Sequence, residues 1–156
     1  MNIIYPGTFD PFSLGQLDIV IRARQIYDTV TVAVSDNPRK NPMFAFEERI
    51  EMARLAVDEY DGVEVIGFTG LLVDVMRERG IKFMLRGIRG MLDFEYEFQM
   101  AQVNRSMLSE FEPIFLMPGE KYMVLSSTFI REVAVLNGDV SGFLPPKVAE
   151  YIKAKI

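Results

Sequence analysis

Residues 3–18, IIYPGTFDPFSLGQLD, constrain this chain more than any other stretch. Residues 3–5 form a short apolar run bounded by Pro6 and Gly7, too brief for a helix and closed by turn formers, which reads as a buried strand. After a loop holding Thr8, Asp10, Pro11, Ser13 and Gly15, the apolar positions Leu17, Val20, Ile21 and Tyr27 recur at helical spacing. A strand that turns tightly into a helix aims backbone N–H groups and the positive end of the helix dipole at one spot, an arrangement suited to a phosphate. Any such turn carries Gly, Pro, Ser and Asp, so the loop taken alone favours ordinary turn chemistry.

What chemistry such a loop could serve is narrowed by two absences: the 156 residues contain neither Cys nor His. Disulfides, thiol nucleophiles, the usual zinc ligand sets and an imidazole base are thereby excluded. Transfer of a phosphoryl-type group survives, because positioning and charge stabilisation do most of that catalysis. The net charge of -5 argues against non-specific binding to nucleic acid or an anionic membrane, so any phosphate site must be a local basic cluster. With 49% hydrophobic residues, the chain is expected to be one domain over residues 1–156. Lacking a basic and apolar leader and any membrane-length apolar run, it is expected to be cytoplasmic.

The remaining segments alternate. Residues 29–34, TVTVAV, suit a central strand buried on both faces. A proline-stiffened loop follows, with Arg39 and Lys40 between Pro38 and Pro42. Over residues 45–60, Phe46, Ile50, Ala53, Val57 and Tyr60 share a helical face, with Glu47, Glu48, Arg49 and Glu51 on the wet side. Residues 63–68 form a third strand, and Gly70 introduces a helix carrying Leu72, Val75, Met76 and Arg79 up to Gly80. A fourth strand over residues 81–85 ends at Arg86, Gly87, Ile88, Arg89 and Gly90. Two arginines around a glycine suit bidentate phosphate recognition, against the plainer reading of surface salt bridges.

Residues 93–108 are expected to be helical, with Asp93 as N-cap and Phe94, Phe98, Ala101 and Leu108 on the packed face. Residues 114–116 make a fifth strand. Ser126, Ser127 and Thr128 then open a helix holding Ile130, Val133 and Ala134, where hydroxyls serve as caps and can also bind phosphate oxygens. Gly138 ends that helix, and Pro145 and Pro146 start a last one through residue 156. Strands alternating with helices imply a Rossmann-like, doubly wound parallel α/β sheet of about five strands. Ligands bind such sheets beyond the C-terminal strand ends, near the switch point, and every cationic or hydroxyl candidate falls there.

The string YPGTFDPFSLGQLDI closely resembles the first motif of the bacterial phosphopantetheine adenylyltransferases, of the HxGH nucleotidyltransferase superfamily. The resemblance extends over essentially the whole chain, through the lysine before Pro-Met-Phe, RGIRG, DFEYE and the SSTxxR motif of Ser126 to Arg131. It implies a nucleotidyltransferase fold and transfer of AMP from ATP to 4'-phosphopantetheine, giving dephospho-coenzyme A and pyrophosphate with Mg²⁺. It further implies that Thr8, Lys40, Leu72 and Arg86 bind the acceptor. Thr8, Phe9, Gln16, Gly87, Ile88, Arg89, Glu97, Tyr122, Ser126, Ser127 and Thr128 would bind ATP, and Gln16, Lys40 and Arg89 would act in catalysis. No protein ligands to the metal are implied, and relatives assemble as homohexamers.

This chain departs from the family at one point: the histidine that closes the motif is Gln16. Glutamine keeps an N–H donor of similar reach but cannot become cationic, and losing a charge-stabilising donor typically costs ~10² to 10³ in rate. A slower enzyme is therefore expected. The alternatives are another nucleotidyltransferase, acting for example on nicotinamide mononucleotide, and a nucleotide or coenzyme A binding protein that no longer turns over.

Overall fold

In the computed structural model, which describes residues 1–155, five strands form one parallel sheet in the order β3-β2-β1-β4-β5. The elements run β1 (Asn2–Gly7), α1 (Leu14–Arg24), β2 (Thr29–Ser35), α2 (Phe46–Val57), β3 (Val63–Phe68) and α3 (Leu72–Arg79). They continue with β4 (Phe83–Gly87), α4 (Met91–Met107), β5 (Glu112–Leu116), α5 (Ser127–Val135) and α6 (Pro146–Lys155). This is the expected doubly wound α/β architecture. Among the described residues no helix is long and apolar enough to cross a membrane.

Strand β1 lies at the centre, pairing with β2 from Asn2↔Thr29 to Gly7↔Val34 and with β4 at Ile3↔Phe83 and Ile4↔Met84. Alternation along the strands divides the core. Ile3, Tyr5, Val30, Val32, Val34 and Leu85 pack with Leu17, Val20, Met52, Ile130 and Val148 of α1, α2, α5 and α6. On the other face Ile4, Ala33 and Met84 meet Val73 and Met76 of α3 and Ala101 of α4. The chain winds one way from β1 to β3, then crosses to β4 on the far side of β1. The switch point is thus the β1–β4 seam, and ligand-binding loops are expected above it.

Several local expectations change. Arg49, read as solvent-facing on α2, is 1% exposed, because three backbone carbonyls converge on it. Helix α4 begins two residues earlier than expected, with Gly90 at the N-cap position. Asp93 lies inside the first turn, where its Oδ2 reaches back to the Arg89 N–H at 3.1 Å. The α4 face assigned to packing is also different: Phe94 and Phe98 are 40% and 53% exposed, and only Glu97 and Ala101 are buried. Strand β4 runs through Arg86 and Gly87, with Arg86 opposite Phe115, so Arg86 is a strand residue and not a loop residue. Tyr27 and Tyr60 lie past the ends of α1 and α2. Helix α5 stops at Val135, where Asn137 (φ 60) and Gly138 close a Schellman turn through N–H bonds to Ala134 and Val133. The expected helical residue 156 lies outside the described residues.

Candidate active site

A cavity of about 500 Å³ opens at the C-terminal end of β1 and β4. Its wall is built first by the turn after β1. Ser13 is extended (φ -100, ψ 166) and caps α1: its Oγ accepts from the Gln16 N–H at 3.2 Å, and Gln16 Oε1 accepts from the Ser13 N–H at 2.8 Å. The two residues thus form a capping box. Gln16 borders the cavity, and with Oε1 committed to Ser13 it has its Nε2 donor left to offer. Phe9 takes a left-handed backbone (φ 51), with its ring held by Phe12 at 5.0 Å and edge-on by Tyr5 at 5.3 Å. Its side chain is 1% exposed, so Phe9 meets the cavity through the turn it shapes.

Strand β4 brings the first arginine. Arg86 donates from Nη1 to the Pro6 carbonyl at 2.8 Å, and from Nε and Nη2 to Glu97 Oε1 at 2.9 and 2.7 Å. A Cβ at Gly87 would lie 3.2 Å from the Ile19 side chain, so this glycine lets α1 pack closely on β4. Arg89 donates from Nη1 to the Leu125 carbonyl at 2.9 Å, and its Nε lies 3.6 Å from Asp93 Oδ2.

The opposite wall is the N-terminus of α5. Ser126 caps it, its Oγ accepting from the Phe129 N–H at 3.0 Å. Ser127 Oγ donates to the Pro11 carbonyl at 3.1 Å, and Thr128 Oγ1 accepts from Arg131 Nη2 at 3.1 Å. The three hydroxyls therefore tie the helix start together, while the first-turn N–H groups of α5 have no acceptor within the helix. The Tyr122 loop closes the rim; the N–H of Gly119 donates to Asp18 Oδ2 at 2.7 Å, and Arg22 Nε meets the same oxygen at 2.8 Å.

The lining carries Lys40, Arg86, Arg89 and Arg131 against a single carboxylate, that of Asp10. Asp10 is 1% exposed, and its two oxygens accept from the N–H groups of Met43 (2.8 Å) and Phe44 (2.9 Å). Lys40 is exposed by surface area, yet partial desolvation at the cavity mouth pushes its ammonium down, with Arg86 adding to the effect and Glu97 opposing it. Burial pushes the Tyr5 hydroxyl up to about 12, against the pull of Arg86 and Arg89. Excess positive charge and two helix N-termini suit this cavity to phosphate groups.

Of the residues implied by the resemblance, Thr8, Phe9, Gln16, Lys40, Arg86, Gly87, Arg89, Tyr122, Ser126, Ser127 and Thr128 border this one cavity. Glu97 lies behind the wall as the partner of Arg86. Leu72 packs with the α3–α4 core on the other face of the sheet, and Ile88 donates its N–H to Leu116; neither belongs to the lining. The sequence assigns no site role to Asp10, Asp18 or Arg49. Asp18 could have been found as the lone acidic side chain of α1, but Asp10 and Arg49 carry no local signal for their cross-chain partners.

Residues 4–133 match the cytidylyltransferase-like family. The phosphopantetheine adenylyltransferase of Ralstonia pickettii is 51% identical over 97% of this chain and 91% of that protein. That of Methylococcus capsulatus is 52% identical over 99% and 97%. A crystal structure from Vibrio parahaemolyticus, provisionally assigned as a nicotinate-nucleotide adenylyltransferase, superposes with a TM-score of 0.75 at 18% identity. It spans 99% of this chain and 92% of that one, and speaks for the fold alone. With these relatives about half identical over nearly the whole chain, the chain belongs to the phosphopantetheine adenylyltransferases of the cytidylyltransferase-like family.

Proposed function

We propose that this chain transfers AMP from ATP to the phosphate of 4'-phosphopantetheine, releasing pyrophosphate and giving dephospho-coenzyme A. The observation that carries the reading is the gathering of Lys40, Arg86, Arg89 and Arg131 around one cavity at the switch point of a chain whose net charge is -5. The second pKa of a phosphate monoester is about 6, so the acceptor is largely dianionic near neutral pH and needs no base to attack the α-phosphorus. Its cost is charge repulsion from the triphosphate, which cations and oriented N–H groups offset.

In this reading Lys40 and Arg86 hold the acceptor phosphate, and Arg89 with the α5 N-terminus holds the triphosphate. Thr8 lies between them, and Gln16 donates from Nε2 to the α-phosphate as it changes geometry. Tyr122 flanks the adenosine. Magnesium enters as the ATP complex, with phosphate oxygens and water as its natural ligands. The uncovered apolar residues of α4, Met91, Leu92, Phe94, Tyr96 and Phe98, are 82%, 83%, 40%, 62% and 53% exposed. They support self-association, as a hexamer by resemblance. The enzyme would act in the cytoplasm.

A binding protein without turnover is the second reading, favoured by Gln16 alone. Pyrophosphate release with ATP, Mg²⁺ and 4'-phosphopantetheine, run beside calorimetric titration of each ligand, separates the two. Turnover establishes the transferase, binding without turnover establishes the second reading, and neither overturns both.

A further inference from the structure

Arg49 is the largest fully buried side chain of the molecule, at 1% exposure. Its guanidinium donates from Nη1 to the carbonyls of Thr8 and Ser35, both at 2.8 Å, and from Nε to that of Phe44 at 3.1 Å. No carboxylate lies within ion-pair distance of it among the described residues; the Phe46 ring is 5.7 Å from its central carbon. The three carbonyls belong to three different segments: the turn after β1, the end of β2 and the return of the Lys40 loop into α2. A buried charge of this kind is costly unless its donors are satisfied, and a planar fork is the group able to serve three acceptors in fixed directions.

Phe44 is gripped from both sides, since its N–H donates to Asp10 Oδ1 at 2.9 Å while its carbonyl accepts from Arg49. The loop that carries Lys40 is thus pinned at Ser35 where it leaves the sheet and at Phe44 where it rejoins the fold. Between the pins, Lys40 is exposed and has no ion-pair partner among the described residues. A single 3-10 turn over Pro38–Lys40, capped by Asn37, shapes the loop locally, and the two anchors fix where that turn stands over the cavity.

We infer that Arg49 is a positioning residue for the acceptor side of the site: by clipping Thr8, Ser35 and Phe44 together it sets where Lys40 stands relative to the turn after β1. The inference rests on the proposed transferase reading, in which Lys40 holds the acceptor phosphate. The triphosphate side keeps a tie outside the clip, Arg89 to Leu125, and Asp10, which Arg131 reaches, stays held by the N–H groups of Met43 and Phe44 when Arg49 is replaced; the loss is therefore expected to fall mainly on the acceptor side.

The test is a double-mutant cycle on the full chain, using Arg49→Lys, Lys40→Ala and the pair, with Arg49→Met as a harsher second variant. Steady-state kinetics and calorimetry are read below the melting transition of each protein. Arg49→Lys is expected to raise KM and Kd for 4'-phosphopantetheine about tenfold, as small displacements of a binding group do, while Kd for ATP changes less than twofold. In the Lys40→Ala background the same change should have almost no further effect, the non-additivity of residues acting through one another. Effects that multiply, or a loss shared equally by both ligands, or a lowered Tm with unchanged KM, would overturn the inference while leaving the transferase reading intact. Wild-type protein that neither turns over nor binds 4'-phosphopantetheine overturns the transferase reading and this inference with it.

Discussion

Oε1 of Glu97 accepts two hydrogen bonds from Arg86, from Nε at 2.9 Å and from Nη2 at 2.7 Å, while Arg86 Nη1 donates to the Pro6 carbonyl. The guanidinium is therefore held between α4 and β1 before any ligand arrives. Replacing Glu97 with Ala frees a half-buried arginine of a charge-assisted pair, a loss of about 2 kcal/mol, and lets Arg86 swing. Urea unfolding should show a lower midpoint at unchanged slope, and the KM for 4'-phosphopantetheine should rise severalfold. A variant with normal stability and normal KM would mean the pair is incidental.

Stability and turnover should part company at Gln16. Gln16→Glu keeps the oxygen that accepts from Ser13 and adds negative charge at the N-terminus of α1, so the protein should be as stable or more stable by up to ~1 kcal/mol. Its turnover should fall by ~10² to 10³, since the donor is gone and a carboxylate faces phosphates. Gln16→His should do the reverse, losing the cap and raising kcat. Equal turnover in wild type and Gln16→Glu would sink the donor role.

Alkaline titration reports on Tyr5. Its hydroxyl is raised from 10.0 to about 12 by burial, so below pH 10 the neutral form costs the fold nothing. Between pH 10 and about 12 the unfolded chain loses its proton first, and stability drops by roughly 3 kcal/mol as pH rises through that window. Tyr5→Phe should flatten this part of the stability–pH curve. A phenolate difference spectrum in which every tyrosine titrates near 10 would contradict it.

Self-association through α4 is checked by charge. Leu92 is 83% exposed, so Leu92→Glu should leave the protomer fold and its melting cooperativity unchanged. Sedimentation velocity should then show smaller species than wild type; identical sedimentation would place any oligomer interface elsewhere.

Strands β2 and β3 were legible because β-branched residues dominate each short run, Thr29 and Thr31 included, and both fall within a residue of expectation. The cationic cluster was legible for a topological reason: alternating strands and helices put every loop after a strand at the same sheet edge. What escaped was any role set by a partner far along the chain. Arg49 looks like a surface charge in its own helix, and the carbonyls that bury it lie 5, 14 and 41 residues away. Phe94 and Phe98 fail in the opposite direction, since periodicity identifies an apolar face but not what covers it.

Because β1 is the middle strand, the order of synthesis leaves it half-finished for a long time. One edge is paired once β2 emerges, but the Pro6 carbonyl waits for an arginine 80 residues further on, and Ile3 and Ile4 wait for Phe83 and Met84. A nascent chain ending after β3 therefore carries an open central strand, a template for wrong partners. It also carries the turn after β1 and Lys40 without Arg86, Arg89 or α5. The capacity to grip a nucleotide arises late, in the same step that closes the sheet, so a ribosome-stalled fragment should neither compete for ATP nor survive proteolysis.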